Sequence, residues 1–155
     1  MSSEPSSFHL AIESRYENIE LAQVVLEETL EALGAKEDYR HRVDLAVREA
    51  VANAIKHGNR LDPRKRAFID FALDGEDVVI RVRDEGDGFD AQGVADPTVE
   101  ENLLKPGGRG LLYMRSYMDG VEVHRHPEGG TEVVLRKRRP SAVEGPSVFN
   151  EEKNS

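Results

Sequence analysis

Three short clusters of residues carry chemistry in this sequence, and each makes demands on the element that bears it. The first is Glu49-Ala50-Val51-Ala52-Asn53. On a helix, positions four apart share a face, so the carboxylate and the amide point into the same space about one turn apart. Their neighbours are nearly all apolar. A polar pair at the margin of a core-facing stripe needs partners, and a hydrated metal ion with a phosphate would supply them. An exposed pair on the helix flank is the plainer alternative.

The second cluster, Asp84-Glu85-Gly86-Asp87-Gly88-Phe89, follows directly on a strand pattern. Its alternate glycines let the backbone turn sharply and pass close to a flat ligand. Asp84 can accept a hydrogen bond from an exocyclic amine such as that of adenine. A plain glycine-rich turn is the alternative; a calcium loop of the EF-hand type would need further ligands that do not follow on schedule. The third cluster, Gly107-Gly108-Arg109-Gly110-Leu111-Leu112, opens a helix. Free N–H groups at a helix start, approached closely across glycine, cradle phosphate, and Arg109 adds a bidentate donor. No G-K-[ST] follows, so this is not a Walker A loop, and no G-x-G-x-x-G leads from a strand. A glycine-rich hinge remains the alternative here.

These groups must be positioned by the elements around them. Residues 8–13 alternate and read as a first strand, and Ser14-Arg15-Tyr16-Glu17 has the S-x-x-E form of a capping box. Ile19, Ala22, Leu26, Leu30 and Leu33 predict a helix ended by Gly34, and a second helix is expected over residues 36–56 with Val43, Ala46, Val47, Ala50, Val51 and Ala54 as its buried stripe. From Ala67 the period becomes two. Ile69, Phe71 and Leu73 face one way, Asp74-Gly75 signals a hairpin, and Val78, Ile80 and Val82 continue on the same face. An irregular stretch to Gly107 reads as a lid, carrying Glu100-Glu101. A short helix after Gly110 with Leu111, Met114 and Met118 on one side should end at Gly120, before a last hairpin around residues 127–130. The order predicts an α+β two-layer sandwich, a mixed and mostly antiparallel sheet with helices on one face. The expected divisions are a disordered segment over 1–7, one domain over 8–138 and a flexible tail over 139–155.

Composition narrows the function classes. The 155 residues are 38% hydrophobic and 33% charged, ordinary for a globular domain. No apolar run is long enough to span a membrane, and the N-terminal residues have neither the basic start nor the apolar stretch of a signal peptide. Cysteine is absent, which removes disulfides and thiolate chemistry and fits a cytoplasmic chain. A net charge of −9 makes direct nucleic-acid binding a poor expectation. The run with Arg125, Arg136, Lys137, Arg138 and Arg139 is a solvated strand end or a docking edge for an acidic partner.

In their order along the chain, the three clusters resemble the boxes of the GHKL ATPase superfamily over about residues 8–138. Glu49 to Asn53 matches the N box, Asp84 to Gly88 the first glycine box, and Gly108 to Leu111 the second. The run Arg48-Glu49-Ala50-Val51-Ala52-Asn53-Ala54-Ile55-Lys56-His57-Gly58 looks like the E-A-x-x-N-A-x-x-H-G of bacterial anti-sigma-factor serine kinases. Gly107 to Met114, with Met118-Asp119 beyond it, looks like that branch too. The resemblance implies a Bergerat-type ATP-binding fold with ATP and Mg²⁺ as cofactors. Asn53 would hold the metal. Asp84 would read the adenine amine, and Gly86 and Gly88 would shape the base pocket. Gly108, Arg109, Gly110 and Leu111 would face the phosphates, and Thr131 would lie near the base, unless it is an ordinary strand residue. Glu49 would be the catalytic base for a partner serine, while Lys56 and His57 could touch phosphate or simply close a helix. The implied partners are a sigma factor and a STAS-type anti-sigma-factor antagonist, with a homodimer expected. A switch kinase, or a nucleotide-dependent binding module acting on a phosphatase or another signalling partner, is the alternative.

Overall fold

The alternation that begins at Ala67 becomes the middle of an antiparallel sheet. A computed structural model describes residues 7–86 and 109–140. Within them run β1 (Ser7–Glu13), α1 (Glu17–Ala32), α2 (Glu37–Asn53), β2 (Arg66–Asp74), β3 (Asp77–Arg83), α3 (Gly110–Tyr117), β4 (Gly120–Arg125) and β5 (Thr131–Arg138). The strands lie in the order β1-β2-β3-β5-β4. Every neighbouring pair is antiparallel, so among the described residues the sheet is wholly antiparallel where a mixed one was allowed for.

Register puts the apolar residues on one face. Phe71 pairs with Phe8 and Ile80, Ile69 with Leu10 and Val82, and Leu135 with Ile80 and Val121. Because the strand period is two, this alignment sends each row to the same side, where it meets the buried stripes of the helices. Leu26, Leu30, Val43, Val47, Val51 and Met114 join the sheet residues in one core, and the Phe8 and Phe71 rings stack 5.4 Å apart. On the opposite face Arg83 lies 4.4 Å over the Phe68 ring, its stem covering apolar surface.

The turns follow the glycines. Gly34 has φ +84°, and behind it Ala35 N–H bonds Leu30 O and Gly34 N–H bonds Glu31 O, the pair of bonds that defines a Schellman ending for α1. Gly75 (φ +63°) takes the first place of the two-residue loop between Asp74 and Asp77, the place that a type II′ hairpin reserves for glycine.

Three local expectations are corrected. Ser14 is not a helix cap: α1 begins at Glu17 with Tyr16 ahead of it and no side-chain cap, while the buried Ser14 hydroxyl donates to Lys65 O at 2.7 Å. A long-range acceptor outcompeted the local one. Gly120 does not end α3; Met118 is already extended, and Gly120 opens β4 opposite Arg136. The second helix runs past Lys56, because Ala54–Gly58 forms a π-helical turn that lengthens it to Gly58. The basic run at the end of β5 is largely occupied within the fold. Arg136 lies 3.5 Å from Asp74 and 3.8 Å from Asp77, and Lys137 Nζ donates to Tyr117 O at 3.0 Å. That favours the solvated strand end over a free docking edge.

Candidate nucleotide site

The end of α2 and the ends of β3 and β5 meet at one carboxylate. Asp84, only 5% exposed, leaves β3 with its N–H bonded to Thr131 O at 3.0 Å. Its Oδ1 accepts the N–H of Gly86 at 2.9 Å and that of Thr131 at 3.1 Å. Among the described residues these bonds all fall on Oδ1, and Oδ2 is turned toward Gly58. Glycine at three positions makes this junction possible. A Cβ on Gly58 would strike Asp84 Oδ2, one on Gly86 would strike Gly58 O, and one on Gly130 (φ +89°) would strike Asp84 O. The π turn brings Gly58 to this place: Asn59 N–H reaches back five residues to Ala54 O at 2.8 Å, a wider step than the α-helical one.

Burial sets the electrostatics of Asp84. Desolvation raises its pKa above the ordinary 3.8, and the Gly86 and Thr131 N–H groups oppose that rise. The folded chain therefore holds a proton on Asp84 more readily than the unfolded chain does. The corresponding stability is present below the ordinary value and is lost as pH rises through the elevated one. Accepting an amine proton needs the anion, so base binding runs the other way. Adenosine, which has no phosphate to titrate, should bind progressively less well on acidification, starting above the range of an ordinary carboxylate. Calorimetry down the pH scale checks this, and Asp84→Asn should flatten the profile.

Directly before the π turn, Asn53 closes α2 with its side chain half-buried. Its Nδ2 is wholly buried and has no hydrogen-bond partner among the described residues. Buried amides are almost always satisfied, so this atom marks a place where an acceptor or ion belongs. With the amide turned over, the same spot presents an oxygen to a cation. A phosphate with its metal fits either assignment. Glu49, half-buried, lies one turn back on the same face. Lys56 and His57 are exposed.

α3 packs against α2. Arg109 stands just outside it in a non-helical conformation, exposed and without a side-chain cap, and Tyr113 N–H to Arg109 O at 2.9 Å is its first intrahelical bond. The N–H groups before Tyr113 thus lack intrahelical acceptors. Gly110 and Leu111 are buried where α3 meets the core. Gly88, Gly107, Gly108 and the expected lid lie outside the described residues.

The structure therefore brings together Asp84, Gly86 and Thr131, and places Glu49 and Asn53 on the helix that ends against Asp84. Sequence reasoning singled out neither Gly58 nor Gly130 as a pocket residue. Gly58 closes the H-G of the helix motif, and Gly130 precedes Thr131 in a Gly-Gly turn, so in the sequence the one signals a helix end and the other a hairpin.

The family model described as "Histidine kinase-like ATPase domain" matches residues 12–137. The Anti-sigma F factor of Oceanobacillus iheyensis is 32% identical over 131 residues, covering 83% of this chain and 90% of that protein. That of Geobacillus thermodenitrificans is 33% identical over 136 residues, covering 85% and 92%. A solved structure of the RsbU and RsbW domains of Rv1364c from Mycobacterium tuberculosis superposes with a TM-score of 0.64 at 22% identity, covering 88% of this chain and 34% of that one, a likeness of fold. Among the described residues no helix is long and apolar enough to cross a membrane. A buried aspartate at a strand end, a helix-borne Glu/Asn pair and a match across nearly the whole fold lead to one assignment: this chain belongs to the histidine kinase-like ATPase domain family.

Proposed function

We propose that the chain is an anti-sigma regulatory factor with ATP-dependent serine kinase activity, which phosphorylates a STAS-type antagonist and sequesters a sigma factor. The observation that carries the nucleotide part is the meeting of Asp84, Gly58, Gly86 and Thr131 at the end of the helix that bears Asn53, whose buried Nδ2 has no partner among the described residues. The regulatory part rests on the similarity to Anti-sigma F factors over most of the chain.

In this reading Asp84 accepts the adenine amine on Oδ2, and Thr131 borders the base. Gly86 and Gly88 give the flat ring close approach to backbone. Gly108, Arg109, Gly110 and Leu111 receive the phosphates at the free N–H groups of α3. Asn53 would hold Mg²⁺, which would offset the charge of the phosphates. Glu49 takes the proton from the antagonist's serine as its oxygen bonds the γ-phosphorus and the bond to ADP breaks; transfer is carried mainly by positioning. The domain that does this spans residues 8–138, and it acts as a homodimer in the cytoplasm.

The test is capture of native partners with and without Mg·ATP, followed by mapping of phosphosites. Serine phosphate on a captured antagonist, with a sigma factor in the same complex, is the expected result. Partners that bind equally in all conditions and carry no phosphate would refute the kinase reading.

A further inference from the structure

Asn59 belongs to none of the three boxes, yet it is 1% exposed and ties three distant segments together. Its Nδ2 donates to Ser14 Oγ and to Arg66 O, both at 2.9 Å, while its Oδ1 accepts the N–H of Glu85 at 2.8 Å. Glu85 in turn accepts the Arg66 N–H on Oε1 at 2.7 Å, so Arg66 is held through both its carbonyl and its amide. Just beyond Asn59 the backbone reverses through two consecutive left-handed residues, Arg60 (φ 55°) and Leu61 (φ 58°). L-residues adopt that conformation at a cost, and it persists only where the surroundings enforce it. Here Leu61 N–H to Ile55 O at 2.9 Å and Asp62 N–H to Asn59 O at 3.0 Å enforce it.

The peptide that Asn59 Oδ1 grips joins Asp84 to Glu85, and the next N–H along the chain, that of Gly86, is one of the two donors on Asp84 Oδ1. Turning that peptide would swing Gly86 N–H away and leave the carboxylate held by Thr131 N–H alone, free to pivot about that one bond. From this geometry we propose that Asn59 is a positioning residue for base recognition: it fixes the Asp84–Glu85 peptide and through it the aim of Asp84 Oδ2. The proposal rests on the nucleotide reading above and adds a residue to it. Adenine is distinguished from hypoxanthine by its exocyclic amine, where hypoxanthine carries a carbonyl that would face the carboxylate acceptor to acceptor. Aim therefore governs selectivity.

The experiment is calorimetric titration of the full chain with ATP and with ITP, alongside melting curves. The wild type should prefer ATP. Asn59→Ala should lower the ATP/ITP ratio by about tenfold, the factor associated with one well-made hydrogen bond. Ser14→Ala removes one acceptor of Nδ2 and the donor to Lys65 O but leaves Asn59 Oδ1 on the Glu85 N–H, so it should lower the melting temperature and keep the ratio. Asn59→Asp retains an acceptor for Glu85 N–H but turns a second acceptor on Arg66 O, so it should lower the melting temperature and yet recover part of the ratio lost in Asn59→Ala. A wild-type ratio in Asn59→Ala, or an equal loss in Ser14→Ala, would overturn the proposal. Should the Asn59 variants fail to fold, hydrogen exchange at the Glu85 amide of the nucleotide-free wild type decides instead: slow exchange supports the grip, and loop-like exchange overturns it. A wild type that binds neither nucleotide, or binds both alike, refutes the nucleotide reading itself, before any variant is compared.

Discussion

Gly58→Ala should sharply weaken nucleotide binding while leaving the core intact. The added methyl would occupy the place of Asp84 Oδ2, and neither side can yield cheaply. Gly58 sits in the π turn whose bonds also hold Asn59, and Asp84 is fixed by the N–H groups of Gly86 and Thr131. The carboxylate must rotate or the helix end must retreat, and either motion takes the acceptor away from the amine it would receive. Losing a hydrogen bond to a charged acceptor, with the pocket displaced as well, should weaken ATP binding by about 100-fold or more, read by calorimetry. Circular dichroism should keep its native shape, because Phe71, Ile80, Val47 and Leu135 lie away from the collision and stay buried. Gly34→Ala is the matched control. A Cβ there meets nothing, but φ is +84°, so it should cost about 1 kcal/mol of stability and leave ATP affinity alone. ATP affinity in Gly58→Ala within twofold of the wild type would show that Asp84 does not read the base.

Glu49→Ala should separate binding from chemistry. Glu49 lies on the face of α2 that also bears Asn53, half-buried, one turn before the Nδ2 atom that has no partner among the described residues. A carboxylate one turn from the metal ligand can receive a hydroxyl proton without itself holding the nucleotide. Removing it should slow phosphoryl transfer to the antagonist by about 10²- to 10⁴-fold, the usual contribution of a positioned base, with ATP affinity kept. Phosphate incorporation in single-turnover conditions measures the first, and calorimetry the second. Transfer at the native rate would remove Glu49 from the chemistry. A parallel loss of affinity would make it a binding group instead.

The elements that position these groups were legible because their signals are local. Ile69, Phe71, Val78, Ile80 and Val82 alternate, and the sheet aligns them as the alternation requires. Gly34 ends a stripe of apolar residues and takes the left-handed conformation that ending needs. Ser14 shows where local reading fails. Its capping-box pattern is intact in the sequence, but its hydroxyl serves Lys65 O and Asn59, 51 and 45 residues away. A short-range pattern states what a side chain could do if nothing better arrives. Tertiary packing brought something better.

By itself, then, the sequence determined the period of each segment, the places where glycine must allow a turn, and the three clusters whose residue types suit a nucleotide. What surrounds the Asp84 carboxylate was decided only in three dimensions. Asp84 is bonded to Thr131, 47 positions on, and Glu85 to Asn59, 26 positions back, and neither pairing is written in any window of neighbouring residues. The π turn, the contact of Gly58 with Asp84 and the burial of Asn59 belong to the same class. The physical reason is that conformational preference depends on adjacent residues, whereas the partner of a buried polar group depends on which backbone the whole fold sets beside it.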